Sequence, residues 1–148
     1  MNITFRDAES RDALAIVPYL RERDRLNLAR QGNPVEVINE AMSTSISKYV
    51  GVAEGVPAVM WGLRAAQLLD NSAYVWMLGT SMIEDHPIHF LRYSRAALKL
   101  MRQRYRVLYG EIEVDYKASQ RWLRWCGAEI TPHERHLMFV LRNERERA

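Results

Sequence analysis

The sequence has little cysteine and no hydrophobic run long enough to span a bilayer. Cys126 is the one cysteine among 148 residues, so an intramolecular disulfide is excluded. A lone cysteine with apolar neighbours is usually a small buried residue, and we do not expect Cys126 to be a nucleophile. The N-terminus also lacks a signal-peptide pattern, because the charges of Arg6 and Asp7 come early. We therefore expect a cytoplasmic protein that has no membrane partner.

Neither sign of charge dominates the composition. The chain has 21 basic and 18 acidic residues, a formal net charge of +3, and 48% hydrophobic residues. These values are close to the average of soluble globular proteins, so they exclude a disordered chain and a membrane-spanning one. The length fits one domain over residues 1–148, in which residues 142–148 form a charged tail.

Hydrophobic periodicity and turn residues predict the order of the elements. A short strand at Asn2–Phe5 precedes a helix that Ser10 caps and Pro18 kinks, and Gly32 follows. Asn33 and Pro34 open a second helix that runs through about Ile46. The remaining predicted elements are strands at Tyr49–Ala53, Val56–Arg64 and Ala73–Leu78, a helix at Pro87–Tyr105, a strand at Val107–Val114, a helix at Lys117–Cys126 closed by Gly127, and a strand at Leu137–Leu141.

This order of elements resembles that of the GNAT (acyl-CoA N-acyltransferase) fold. The segment Val114–Ala128 is similar to the GNAT region in which a strand meets an aromatic-rich helix ending in glycine, and Phe5–Ala8 resembles a GNAT start. The resemblance implies an α/β fold (an α+β sandwich) with a mixed, centrally splayed sheet and helices on both faces. The chain length and the stretch Tyr74–Met77 are most similar to a small phage GNAT-like group that includes an internal virion protein of podophages.

The resemblance implies a coenzyme A site in which a glycine-rich loop opens the long helix and its backbone N–H groups bind the pyrophosphate. Acetyl-CoA would then lie across Leu78, Thr80 and Ser81. The loop Gly79–Pro87, however, has a single glycine and places Glu84 and Asp85 where the diphosphate needs room. We interpret these acids as structural groups near a helix start, with Asp85 placed to cap the helix. We therefore expect no cofactor, and acetyl-CoA only if the chain is an enzyme.

The short helix departs from the family pattern at two positions. Tyr116 stands where the family usually has asparagine, and Leu123 stands where the family has a tyrosine that protonates the leaving thiolate. Leucine has no titratable group, so the usual chemistry is in doubt. Leu123 is expected to be buried, and Trp122 and Trp125 are more typical of a core or an interface than of chemistry.

Three carboxylates alternate along the predicted strand: Glu111, Glu113 and Asp115. Alternation places them on one strand face, where they could bind an amine or act as the base that deprotonates it. These three carboxylates are the candidate catalytic residues. The alternative is a solvated strand face paired with arginines. The histidine pairs 86/89 and 133/136 lack further ligands at metal-site spacing, so no metal is expected.

The long helix has an acid-free basic face. Its apolar side comprises Phe90, Leu91, Ala97, Leu98, Leu100 and Met101, and its candidate anion-binding surface comprises Arg92, Arg95, Lys99, Arg102 and Arg106. Lys117, Arg121 and Arg124 repeat the pattern on the next helix. Like charges at this spacing weaken an isolated helix, which favours a role in binding nucleic acid, an acidic partner or a coenzyme phosphate. A basic surface without any partner is the alternative.

Two functions remain open at this point. The first is a phage-type, catalytically degenerate GNAT-like protein that acts in virion assembly or binds phage structural proteins or nucleic acid, in the cytoplasm of a bacterial host or in the virion. The second is a divergent acetyl-CoA-dependent N-acetyltransferase that acts on an amine. The sequence leaves enzyme activity and the oligomeric state open.

Overall fold

The computed structural model describes residues 3–67, 71–133 and 136–142. Its strands are β1 Ile3–Asp7, β2 Ser47–Ala53, β3 Val56–Gln67, β4 Ser72–Gly79, β5 Val107–Glu113, β6 Glu129–His133 and β7 His136–Arg142. Its α-helices are α1 Ser10–Ile16, α2 Glu22–Gln31, α3 Pro34–Ser43, α4 Ser81–Asp85, α5 Pro87–Arg104 and α6 Lys117–Trp125. No helix in these described ranges is long and apolar enough to cross a membrane.

The strands form one seven-stranded sheet in the order β1-β2-β3-β4-β5-β7-β6. Strands β4 and β5 run parallel, with Ser72–Tyr74 opposite Val107–Tyr109. The pairs β1/β2, β2/β3, β5/β7 and β6/β7 are antiparallel. The mixed sheet expected from the resemblance is therefore confirmed, and β1 and β6 are its two edges.

The described chain divides into two compact units. The first comprises the chain up to Arg64 together with Trp76–Phe90, and the second comprises Ala65–Val75 together with the chain from Leu91 onward. Helices α1, α2 and α3 pack on the sheet of the first unit around a core of Ala8, Ala13, Ile16, Leu20, Leu28, Ile38, Met42, Val50, Met60 and Leu78. The buried apolar residues of the second unit are Ala73, Leu98, Leu108, Ile112, Leu123, Phe139 and Leu141. The expectation of one domain over the whole chain stays a prediction.

Local sequence signals explain where helices begin and where the chain turns in the first unit. Asn33 caps α3, since its side-chain oxygen accepts the N–H of Glu36 at 3.2 Å, and Pro34 is the first helical residue, as predicted. Glu54 and Gly55 turn the β2–β3 hairpin with φ angles of 53° and 80°, which is the backbone that a tight two-residue hairpin requires. The predicted Ser10 cap is wrong, because Glu9 is the capping position and its N–H donates to Asp12 at 2.8 Å.

A glycine ends α6 in the second unit. Gly127 has a φ of 98°, its N–H donates to the carbonyl of Arg124, and the N–H of Ala128 donates to the carbonyl of Leu123, each at 2.9 Å. These two hydrogen bonds satisfy carbonyls that the helix would otherwise leave unpaired. The predicted stop at Gly127 is thus confirmed.

Several predicted boundaries are wrong. The first helix does not continue through Pro18 with a kink, because α1 ends at Ile16, a 3-10 turn covers Val17–Tyr19, and α2 is a separate helix. Strand β6 is absent from the predicted elements because it contains Pro132, which weakens a strand signal, yet an edge strand tolerates a proline. Asn2 and residues 143–148 of the charged tail lie outside the described residues.

Candidate functional site

The end of β4 and the start of α4 form the β4–α4 junction, defined here as Leu78–Ser81, which contains the three predicted cofactor-binding residues. Leu78 is part of the apolar core and Thr80 is fully buried, whereas Ser81 is exposed. The Thr80 hydroxyl donates to the carbonyl of Ala58 at 2.8 Å and accepts the N–H of Met82 at 3.3 Å. Thr80 therefore ties β4 to β3 and caps α4, a short helix that the sequence analysis missed.

An ion pair from the start of α2 lies against this junction. The Asp24 carboxylate accepts the backbone N–H of Gly79 at 2.9 Å and two bonds from the Arg21 guanidinium at 2.9 and 3.0 Å. The N–H of Arg21 donates to the carbonyl of Gly79 at 3.0 Å. Both charged side chains are largely buried, with 9% and 14% exposed. A carboxylate of the chain thus already occupies a backbone donor of the junction.

The Arg21 and Ile83 side chains lie close to the backbone of Gly79. A Cβ atom there would lie 2.9 Å from the Arg21 guanidinium carbon and 2.7 Å from the Ile83 Cδ1 atom. A Cβ atom at this position would force the Arg21 and Ile83 side chains to shift, and Arg21 is held in place by its ion pair with Asp24. The resemblance implies a phosphate loop that begins at this glycine, and the packing around the glycine offers a steric explanation within the first unit.

The acids Glu84 and Asp85 lie on α4 and are exposed. Asp85 is the last residue of α4, and the long helix α5 begins after His86, whose carbonyl accepts the N–H of Phe90 at 3.1 Å. The expected cap by Asp85 is therefore wrong, because the chain closes one helix there before it opens the next.

The candidate catalytic carboxylates do not share one strand. Glu111 and Glu113 lie on the same face of β5, where Glu111 is exposed and Glu113 is partly buried. Asp115 lies in the turn after β5, because the strand ends at Glu113. The expectation of three aligned carboxylates is therefore wrong for Asp115, whereas a catalytic role of Glu111 or Glu113 stays a prediction.

Leu123 is buried with 3% of its surface exposed, which confirms the expectation from the helix register. Tyr116 is the residue that precedes the first turn of α6. Trp122 is partly buried, and its indole N–H donates to the Ser94 hydroxyl of α5 at 3.1 Å. The position at which the resemblance implies a proton donor thus belongs to the packed interior of the second unit.

The basic face of α5 differs in part from the predicted one. Arg92, Arg95 and Lys99 are exposed along the helix. Arg106 is not on the helix, because α5 ends at Arg104. Arg102 is engaged in structure, since its guanidinium donates to the carbonyl of Arg142 at 2.7 and 3.0 Å and to that of Cys126 at 3.3 Å.

Leu100 was assigned to the apolar face and is 68% exposed, which makes that assignment wrong. Two residues along an α-helix are rotated by about 200°, so Leu98 and Leu100 cannot share a face. Leu98 is the buried one of the two.

Helices α5 and α6 present an exposed surface that combines cations with an indole. The Arg95 guanidinium lies over the Trp125 ring, with 4.7 Å between its carbon atom and the ring centroid. Trp125 is nevertheless 51% exposed. We name this the α5–α6 surface and define it by the exposed residues Arg92, Arg95, Lys99, Arg121, Arg124 and Trp125.

Other reactive side chains in the part of the chain that the structure describes do not form a second site. Burial raises the pKa of the Cys126 thiol to about 11, against the opposing effect of Arg95 and Arg102, so the thiol stays protonated at neutral pH. His86 and His89 lie edge to face with 6.3 Å between their ring centroids. Among the described residues, no group of three or more histidine, cysteine or acidic side chains is placed to hold a metal ion. The side chain of His136 lies outside the described part.

Sequence reasoning missed the Arg21–Asp24 pair and the contact between Arg95 and Trp125. The Asp24 carboxylate of this pair accepts the N–H of Gly79, 55 positions away in the sequence, and no local pattern encodes such a contact. The second joins two helices, for which the only sequence signal was the repeated spacing of basic residues.

A seven-stranded mixed sheet with these helices defines the GNAT-like α/β fold. No protein-family model matches the sequence, and no curated protein sequence is significantly similar to it. The chain is similar to solved structures of acetyltransferases. The sequence identities are low, so these structures show a shared fold and nothing more.

Three of these structures illustrate it. A spermidine N-acetyltransferase chimera derived in part from Vibrio cholerae has a TM-score of 0.73 and 12% identity, with 98% of each chain covered. A GNAT-family acetyltransferase from Bacillus anthracis has a TM-score of 0.70 and 12% identity over 97% of this chain and 96% of that one. A ribosomal L7/L12 alpha-N-protein acetyltransferase in complex with coenzyme A has a TM-score of 0.67 and 12% identity over 95% and 93%.

Proposed function

We propose that this chain is a GNAT-fold protein that has lost acyl transfer and acts by binding an anionic partner. The observation that carries the proposal is the hydrogen bonding of the β4–α4 junction. The N–H groups of Gly79, Thr80 and Met82 donate to Asp24, Ala58 and the Thr80 hydroxyl, respectively. These N–H groups belong to the segment across which the resemblance places the coenzyme, and each has a partner within the chain.

The charge at the junction supports the same conclusion. The Asp24 carboxylate occupies the Gly79 N–H at 2.9 Å. A diphosphate could reach this donor only by displacing a carboxylate that Arg21 holds with two hydrogen bonds. The buried Leu123 adds a second deficit, because it offers no proton to a leaving thiolate.

Titration calorimetry with acetyl-CoA tests the loss of the cofactor. We expect a dissociation constant of about 1 mM or weaker for the wild-type chain, which corresponds to about 4 kcal/mol of binding. Asp24→Ala frees the Gly79 N–H from its side-chain acceptor, so we expect it to bind acetyl-CoA more tightly than the wild type does. A low micromolar constant for the wild type would overturn the proposal.

The binding role draws its support from α5 and α6. Neither helix contains an aspartate or a glutamate, whereas together they carry eight lysine or arginine residues. Counterion release makes such a surface favourable for a polyanion at low salt. In the finer form of the proposal, the partner is a phage structural protein or nucleic acid, and the protein serves virion assembly. That form is supported by the sequence resemblance to phage GNAT-like proteins, and mass spectrometry of purified virions tests it.

A divergent N-acetyltransferase is the second candidate, and the fold likeness favours it. Structures that cover nearly the whole chain include a spermidine N-acetyltransferase chimera and an acetyltransferase bound to coenzyme A. In this alternative Glu111 or Glu113 takes the proton of the acceptor amine. This alternative is tested by measuring the release of free coenzyme A from acetyl-CoA in the presence of spermidine. Turnover that Glu111→Gln or Glu113→Gln abolishes would establish the second candidate over the first.

A further inference from the structure

Trp125 stands out on the α5–α6 surface because its indole is large, apolar and exposed. About half of its surface, 51%, is open to solvent. A single exposed apolar side chain is common, and the feature that sets Trp125 apart is that its ring lies among exposed cations. The neighbouring Trp122 differs, since its N–H is engaged with the Ser94 hydroxyl and its ring is partly buried.

Arg95 orients the Trp125 ring. Its guanidinium carbon lies 4.7 Å from the ring centroid, which is a cation–π geometry. An indole that is held in one position loses little conformational freedom when a ligand packs on its open side. The contact also brings a positive charge beside the ring, so one ligand can meet the apolar plane and the cation together.

The other cations of the surface surround this pair. Arg92 and Lys99 are exposed on α5 and lie two turns apart, which is about 10 Å along the helix. Arg121 and Arg124 are exposed on α6, within one turn of Trp125. A ligand that spans these groups therefore needs several negative charges and at least one flat apolar group.

Single-stranded nucleic acid has this chemistry. Its phosphates pair with lysine and arginine, and its unpaired bases stack on exposed aromatic side chains. In a duplex the bases are already stacked on each other, and an acidic protein surface offers carboxylates without requiring an indole. We propose that the α5–α6 surface binds single-stranded nucleic acid, with a base on Trp125 and phosphates at the surrounding cations. This inference rests on the proposed function, of which it specifies the partner.

Fluorescence anisotropy with the full chain and labelled dT12 or rU12 tests the inference. We expect Trp125→Ala to weaken binding about 5- to 150-fold, the range that one stacked base contributes. Trp125→Phe keeps a ring and should lose less than the alanine variant does. Tyr19→Ala is the matched control, because Tyr19 is an exposed aromatic residue of the first unit and should leave affinity unchanged.

The outcomes separate this inference from the proposed function. Equal binding of wild type and Trp125→Ala, with both shown to be folded by circular dichroism, would overturn the stacking. A 12-base-pair duplex or polyglutamate that binds more tightly than dT12 and rU12 would also overturn it while leaving an anionic partner in place. Absence of binding to all four probes at 50 mM salt would reject both the inference and the proposed binding role.

Discussion

At the scale of single residues, Asp12 joins the first strand to the first helix. Its carboxylate accepts two bonds from the Arg6 guanidinium and one from the Glu9 N–H, each at 2.8 Å. Burial by itself raises the pKa of the Asp12 carboxyl, but these hydrogen bonds and the nearby positive charge outweigh it. The pKa therefore lies below the ordinary value of 3.8.

A pKa that is lowered by folding stabilises the fold above the ordinary pKa of the group and ceases to do so as the pH falls through the folded-state pKa. Asp12→Asn should lower the free energy of unfolding at pH 7 by about 1.5 to 3 kcal/mol, the range of hydrogen bonds to charged groups. The difference from wild type should shrink below about pH 4. Urea unfolding at pH 7, 5 and 3 measures it, with the exposed Asp7→Asn as control. A difference that is the same at all three values contradicts this explanation.

Leu123 offers a second test at the same scale. Leu123→Ala should cost about 2 to 5 kcal/mol, because the substitution leaves a cavity in the packed interior. Leu100→Ala removes the same atoms from an exposed site of α5 and should change stability by no more than about 0.5 kcal/mol. Urea unfolding of both variants checks the difference. Equal costs would mean that the register of α6 is wrong, and with it the alignment to the GNAT pattern.

At the scale of elements, α4 depends on one buried hydroxyl. Thr80→Val preserves shape and β-branching but leaves the carbonyl of Ala58 without the hydroxyl bond and the N–H of Met82 without its acceptor. We expect a loss of about 1 to 3 kcal/mol in the free energy of unfolding. Thr4→Val on the exposed side of β1 is the matched control. Thermal unfolding of the two variants would contradict the capping role if Thr80→Val were as stable as Thr4→Val.

The elements also show what the sequence could predict. Asn33 with Pro34, the pair Glu54–Gly55, and Gly127 each act within a few residues, so their helix and turn boundaries were readable. Helix α4 has five residues and depends on a hydroxyl that is buried against another strand, so no periodicity indicated it. Strand β6 forms by pairing with β7, and its proline, Pro132, weakened the sequence signal for a strand. The Asp24 contact with Gly79 could not be predicted, because it forms between distant segments.

At the scale of the whole molecule, a net charge of +3 is too small to drive binding without local clustering. Replacing Arg92 and Lys99 by glutamine should therefore weaken binding to a single strand and reduce the slope of log K against log salt by about 1.4, two phosphate contacts at about 0.7 each. Anisotropy between 50 and 200 mM salt measures the slope. Arg25→Gln with Arg30→Gln makes the same change in net charge on α2 and should leave the slope unchanged. An equal decrease in both variants would show that net charge, and not this surface, is responsible.

The order of the strands has a consequence for self-association. An edge strand with a full row of unpaired N–H and C=O groups is a template on which another copy can add a strand and begin to aggregate. Strand β6 is one of the two edges, and it has only five residues. Pro132 removes a donor at its fourth position, and Glu129 brings an exposed charge to its start. Pro132 thus helps to protect the protein against edge-to-edge aggregation.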